Sequence, residues 1–100
     1  MKTIISGLNK IFDSRIRLGI MAALSVNDIL DFNALKELLD ITDGNLASHM
    51  KTLEKNKLIE VRKQFVGRKP NTAYSITQSG KAMFQQHLNA LENFINPLQT

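Results

Sequence analysis

The sequence predicts an α+β fold that is mostly helical: a three-helix core, a β-hairpin and a C-terminal helix. Two observations carry this reading. Apolar residues recur at helical spacing up to about residue 58, alternate in twos over residues 59–76, and then return to helical spacing. Residues suited to helix caps or turns, Ser14, Asp31, Thr42, Gly67 and Thr77, stand at the boundaries between these regions. A third observation bears on function, because the whole net charge of +4 falls in one third of the chain.

In "SRIRLGIMAALSV", Ser14 is a candidate N-cap and Ile16, Ile20, Met21 and Leu24 form one buried face, which predicts a helix over 14–26. In "NDILDFNALKELLDI", Asp31 and Asn33 compete as caps before Leu35, Leu38 and Leu39, so a shorter helix ends near Leu39 or Asp40. Two or three residues later Thr42 caps a third helix, over 42–57, with Leu46, Met50 and Leu53 facing the core. Ile59, Val61, Lys63 and Phe65 then alternate, "GRKP" supplies turn residues, and Thr72, Tyr74 and Ile76 alternate again, which is a hairpin with a basic tip. Thr77 or Ser79 caps a last helix over 78–96, in which Phe84, Leu88, Leu91 and Ile95 share a stripe until Pro97 stops it. A short helix is also expected over residues 4–13.

One hundred residues suit a single domain, 1–100. At 43% hydrophobic and 22% charged, the composition is that of a globular chain, and no apolar run approaches the ~20 residues of a membrane span. The start, "MKTIISGLNKIF", is interrupted by Ser6, Gly7, Asn9 and Lys10, unlike a secretory signal, so a cytoplasmic location is expected. Without cysteine there is no disulfide, thiolate nucleophile or Cys-ligated metal. No phosphate-binding Gly-rich loop, G-x-S-x-G or H-E-x-x-H occurs, so the expectation is no enzyme and no cofactor. His49 and His87 lie on different predicted helices with no acidic residue at ligand spacing, which argues against a metal site.

The charge has an address. Residues 1–41 and residues 76–100 each balance to zero, whereas residues 42–75 hold Lys51, Lys55, Lys57, Arg62, Lys63, Arg68 and Lys69 against Asp43, Glu54 and Glu60. Such clustering is the footprint of a face that binds a polyanion. With Gly44 at zero and about 100° per residue, Ser48, Lys51, Thr52 and Lys55 fall within about 80° of it, Asn45 lies at the margin, and Leu46, Met50 and Leu53 point the other way. Small residues at the start of such a helix permit close approach to a major groove, Asn and Ser can bond base edges or phosphates, and lysines neutralise backbone charge. A solvated surface helix with a Gly-Asn cap would carry the same residues, and lysine or proline in a hairpin also protects its edges. Four basic residues, Arg62, Lys63, Arg68 and Lys69, beside a candidate recognition helix favour nucleic-acid contact. His49 falls between the two faces, as a boundary residue bonding locally or to phosphate.

The stretch "ITDGNLASHMKTLEKNKLIEV", followed by "GRKPNTAYSITQSGK", resembles the winged helix-turn-helix transcriptional regulators related to the MarR and ArsR families, in particular the small stand-alone regulators of bacteria and archaea. The likeness covers about residues 14–84 and rests on the patterns "TDGNLxxHxxxLE" and "GRKPxTxYxIT". It implies that Thr42, Asp43, Gly44, Asn45, Ser48, His49, Lys51 and Thr52 lie on or beside a recognition helix, and that Arg68, Lys69 and Pro70 form the tip of a wing that reaches the minor groove or phosphates. It also implies a homodimer built from terminal helices. The cysteines of metal-sensing ArsR relatives and the long helical additions of typical MarR proteins are absent, which leaves an effector site without support.

The residues argue for a dimer as well. Leu8, Ile11 and Phe12 before the first core helix, with Phe84, Leu88, Leu91, Phe94 and Ile95 on the last, exceed what a small core needs, and an isologous contact would cover them. The functional expectation is a homodimeric regulator that binds double-stranded DNA sequence-specifically, with helix 42–57 in the major groove and loop 64–71 as the wing. The alternative is a protein-interaction module whose basic face takes an acidic partner. RNA binding is disfavoured, because the hairpin offers only Phe65 and Tyr74 for stacking.

Overall fold

Every α-helix begins at a side-chain oxygen able to take one of the N–H groups that a first turn leaves unpaired. Ser14 Oγ accepts from Arg17 N at 3.2 Å, Asp31 Oδ1 from Ala34 N at 2.8 Å, Thr42 Oγ1 from Asn45 N at 3.2 Å, and Thr77 Oγ1 from Gly80 N at 2.8 Å. Asp31 therefore prevails over Asn33, and Thr77 over Ser79. The computed structural model describes residues 5–96. After a single 3-10 turn, Lys10–Phe12, come α1 (Arg15–Ser25), β1 (Leu30–Asp31), α2 (Phe32–Leu39), α3 (Asp43–Lys55), β2 (Ile59–Val66), β3 (Lys69–Ile76) and α4 (Gln78–Ile95).

The strands form one antiparallel sheet in the order β1-β3-β2. β2 and β3 pair along their whole length, from Ile59 opposite Ile76 to Val66 opposite Lys69, around the two-residue turn Gly67-Arg68. Gly67 has φ of +66°, a left-handed conformation that favours glycine in such turns. β1 leaves no signal in the sequence, since two residues, Leu30 opposite Tyr74 and Asp31 opposite Ala73, are too short to show a period.

The core is built from one side of each element: Phe12, Ile20, Met21, Leu24, Leu35, Leu46, Met50, Leu53, Leu58, Ile59, Tyr74 and Phe84. Leu46 and Leu53 are wholly excluded from solvent, which fixes the rotation of α3 about its axis. Leu38, expected on the core face of α2, is instead 62% exposed, while Leu35 and Leu39 pack inward.

The expected helix over 4–13 is replaced by turns over the part that is described, residue 4 lying outside it. Asn9 is held extended, its N–H donating to His87 Nδ1 at 3.1 Å while its own Oδ1 caps Ile11 N, and an extended residue there ends any helix. Two residues assigned to a dimer contact belong to the protomer's own core. Phe12 and Phe84 are buried and meet edge to face at 5.6 Å, with the His87 ring 5.0 Å from Phe12. The last helix ends with Asn96 as its C-cap, and the expected stop, Pro97, lies outside the described residues.

Two helix ends set the angle of α3. Asp40, in the left-handed conformation with φ of 51°, closes α2, and Ile41 N–H donates back to Lys36 O. At the other end Lys57, with φ of 59°, lets its own N–H reach Glu54 O at 2.9 Å and the Leu58 N–H reach Leu53 O at 3.0 Å, the paired bonds of a Schellman motif. The start of α4 grips this turn: Thr77 N–H donates to Leu58 O, and the Thr77 and Ser79 hydroxyls both donate to Lys57 O. Gly80 lies directly on the Leu58 carbonyl, which a methyl group would overlap. Gly80→Ala, which in an open helix would gain about 1 kcal/mol, is therefore expected to lower stability by about 1–3 kcal/mol. Urea unfolding of the two proteins checks this, and a more stable variant would contradict the packing.

Candidate nucleic-acid interface

With Leu46, Met50 and Leu53 buried, α3 turns Gly44, Asn45, Ala47, Ser48, Lys51 and Lys55 to solvent, and Thr52 is half-buried. The backbone around these residues is settled by local bonds. Thr42 caps Asn45, Thr52 Oγ1 donates to Ser48 O, and Asn56 Nδ2 donates to Thr52 O. Nothing lies within 4 Å of the place where a Gly44 side chain would start. The fold has no steric need for glycine there, although glycine costs a helix about 1 kcal/mol.

Across from α3 stands the hairpin. Ala47, Met50, Lys51 and Glu54 of α3 and Val61, Lys63, Thr72 and Tyr74 of the strands line one groove of about 250 Å³. The structure thus brings Lys51 and Lys63 to a shared surface. Alternation along β2 sends Arg62 to the other face of the ribbon, opposite Ala73, so Arg62 and Lys63 do not act from the same side. On that other face Gln64 Nε2 donates to Asn71 Oδ1, and Asn71 Nδ2 donates to Asp31 Oδ2, tying the hairpin to the start of α2. Arg68, Lys69 and Pro70 are exposed at the tip, with Arg68 in the turn and the other two already within β3. Inside the groove, burial and the neighbouring Glu54 carboxylate push the Tyr74 phenol up, so its hydroxyl stays protonated.

Two residues of the predicted site are committed within the protein. Asp43, in the first turn of α3, forms an ion pair of 2.8 Å with Lys36 of α2. Both side chains are largely exposed, so the pair adds little stability, but it holds a carboxylate at the helix N-terminus, where the dipole favours it. His49 is bound through Nδ1 to Arg17 Nη1 at 3.0 Å, and Arg17 Nε donates to Ile11 O at 2.6 Å. A guanidinium only donates, so Nδ1 accepts and the ring proton sits on Nε2. Burial, then the Arg17 charge, hold the His49 pKa below its ordinary value. Among the described residues no group of three or more His, Cys, Asp or Glu is placed to hold a metal ion.

Arg17, Lys36 and Ala47 join the site only in the structure. Ala47 could have been found from the helical projection, since it falls within about 60° of Gly44. Arg17 and Lys36 act through contacts between helices, for which spacing along the chain carries no signal.

Residues 16–95 match the family model for a winged helix DNA-binding domain. The chain belongs to that winged-helix family. An uncharacterized protein of Methanocaldococcus jannaschii is 38% identical over 79 residues, spanning 79% of this chain and 86% of its own length. The structure of a transcriptional regulator homologue from Pyrococcus horikoshii OT3 superposes with a TM-score of 0.82 at 33% identity, covering 92% of this chain and 91% of that one. A mutant MarR from E. coli, solved in complex with operator DNA, shares the fold with a TM-score of 0.75 at 13% identity, over 93% of this chain and 66% of its own. In winged-helix terms α2 and α3 are the helix-turn-helix, with Asp40–Thr42 as its turn, and β2 and β3 are the wing. Among the described residues no helix is long and apolar enough to cross a membrane.

Burial of His49, and then the Arg17 charge beside it, make this site sensitive to acid. Because the folded state holds His49 below its ordinary pKa of 6.5, the unfolded chain binds the proton first, and this site removes stability as the pH falls below about 6.5. Arg17→Met is expected to raise the His49 pKa toward the ordinary value in an NMR titration of the ring protons, and to reduce the loss of stability between pH 7 and about pH 5. An unmoved titration would show that Arg17 does not govern the ring.

Proposed function

We propose that this protein is a transcriptional regulator that binds double-stranded DNA sequence-specifically, with α3 in the major groove and the 64–71 segment of the wing on an adjacent minor groove or on phosphates. The observation that carries the reading is the outward face of α3: a glycine the fold does not require, then Asn45, Ala47, Ser48 and Lys51, sharing a groove with Lys63 of the wing. Family membership, the Pyrococcus regulator homologue and the shared fold of a MarR mutant solved on operator DNA support it.

In this reading Asn45 and Ser48 meet base edges near the start of α3. Thr52, Lys51 and Lys55 lie along the same face, Thr42 stands at its start with its hydroxyl capping the helix, and Lys63, Arg68 and Lys69 meet phosphates. Gly44 removes the side chain that would hold the helix away from the groove floor. Asp43 and His49 act indirectly: paired with Lys36 and Arg17, they fix how α3 is presented. Arg62, on the outer face of the ribbon, serves phosphates on that side only.

The test is a titration series at several salt concentrations, using a duplex selected from random sequence and scrambled competitors. Arg68→Ala and Lys69→Ala are expected to weaken binding to every duplex and to lower the slope of log K against log salt by about one each. Asn45→Ala is expected to cost about 1–3 kcal/mol on the selected duplex alone, eroding preference. Gly44→Ala should bind less well while being equally or more stable, by up to about 1 kcal/mol. Equal affinity for selected and scrambled DNA would instead favour a module that binds an acidic protein.

A homodimer completes the proposal. The stripe of α4 starts inside the core at Phe84 and then leaves it: Leu91 is half-buried, Leu88 is 37% exposed and Ile95 71%, with Phe94 beside them at 43%. Leu8 and Ile11 are half-buried near the other end of the chain. Two protomers joined along this surface would set two recognition helices on half-sites ~10 bp, or a multiple of it, apart. Sedimentation equilibrium is expected to give a dimer for the parent protein and a folded monomer for Leu88→Glu with Ile95→Glu. A parent protein that sediments as a monomer would remove the dimer and leave the DNA-binding face untouched.

A further inference from the structure

The tip of the wing carries an apolar pair that neither the core nor the α3 groove uses. Phe65 is 73% exposed and stands opposite Pro70 across the ladder, so the two side chains occupy one face. That face runs inward through Lys63 and Thr72 to Val61 and Tyr74, the lining of the α3 groove. β1 supports β3 only at Ala73 and Tyr74. Beyond Arg62 the ladder is two-stranded, tied to the start of α2 only through Gln64, Asn71 and Asp31, and at ~3.3 Å per residue Phe65 stands about 10 Å past the last pair that β1 backs.

At 73% exposure Phe65 buries little apolar surface, so its pairing with Pro70 contributes little to folding. Its surroundings are cationic on every side: Lys63 on its own face, Arg68 in the turn, and Arg62 and Lys69 on the opposite face. No acidic residue occurs between Val61 and Ile76. The complementary surface is a line of stacked apolar rings enclosed by two rows of negative charge. A minor groove of duplex DNA has this form, and its width of about 6 Å admits a ring or a proline but not the whole ribbon. Charges on both faces of the ribbon then meet the phosphates of both strands.

We propose that Phe65, backed by Pro70, is a wedge that enters the minor groove next to the α3 site, parts a base step and bends the duplex. This rests on the DNA-binding reading above. Unstacking is least costly at pyrimidine–purine steps, so the wedge adds a sequence preference at a position where the protein makes no hydrogen bond to a base. Pro70 has no N–H, so the strand lacks a backbone donor at the position opposite Phe65, and the pair meets the unstacked step through apolar surface alone.

The experiment uses the full chain and its selected duplex, end-labelled for energy transfer and carrying 2-aminopurine at the step that faces the wing. Binding of the parent protein is expected to shorten the end-to-end distance and raise the 2-aminopurine fluorescence. Phe65→Ala should abolish both signals and weaken binding to the selected duplex about tenfold, as loss of one aromatic–base contact does. Phe65→Leu should keep the bend. Lys63→Ala should lower the salt dependence and keep the fluorescence signal. Because Phe65 is exposed, unchanged melting of Phe65→Ala is the check on folding. A parental bend and fluorescence signal in Phe65→Ala overturns the wedge while leaving DNA recognition by α3 standing. A parent protein with no preference among duplexes overturns both. Loss of self-association in Phe65→Ala, with the bend intact, would assign the tip to a contact between proteins and also overturn the wedge.

Discussion

The turn from Lys57 to Leu58 is the point on which the recognition geometry depends. Its two carbonyls take a backbone N–H and two hydroxyls from the start of α4, while the N–H groups of the same two residues close the end of α3. A single turn therefore sets where α3 stops, where β2 begins, and where β3 hands over to α4. Leu58 is wholly buried beneath it, so the polar clasp and the apolar anchor act together. Gly80 permits this closeness, since no other residue leaves room for the Leu58 carbonyl.

From that fixed point two arms diverge. α3 is held in rotation by Leu46, Met50 and Leu53 and in tilt by the left-handed Asp40 at its near end. The ribbon is held at its base by β1 and by the chain of bonds from Gln64 through Asn71 to Asp31. Asp31 also caps α2, so one carboxylate links the first helix of the helix-turn-helix to the wing. Both arms are rigid at their roots and polar or cationic at their working surfaces, and a duplex gripped at two places requires that division.

Charge is distributed on the same plan. The ion pair of Lys36 with Asp43 at the start of α3 and the contact of Arg17 with His49 at its middle engage two polar side chains of this helix within the protein. The cations of the basic third, Lys51, Lys55, Lys57, Arg62, Lys63, Arg68 and Lys69, are all exposed and without a partner among the ion pairs of the described residues. Free lysine and arginine at the surface contribute little to folding and much to long-range attraction of a polyanion.

The sequence by itself determined the order of the four long helices and the hairpin, the caps Ser14 and Thr42, the buried stripe of α3 and the basic third of the chain, because these depend on periods and on caps within a few residues; the structure chose Asp31 over Asn33 and Thr77 over Ser79. It also exposed the oddity of Gly44, a helix-start glycine next to asparagine. Only the tertiary structure decided that Gly44 meets nothing, that Arg62 and Lys63 face opposite ways, and that His49 is held by an arginine 32 positions away. It likewise moved Phe12 and Phe84 from an expected protein contact into the core, and over the described residues 5–13 put a strap bound to His87 in place of the expected helix. An apolar residue reads the same in sequence whether its own chain or a second copy covers it. The choice between them is made by packing between distant segments, which a local period does not encode.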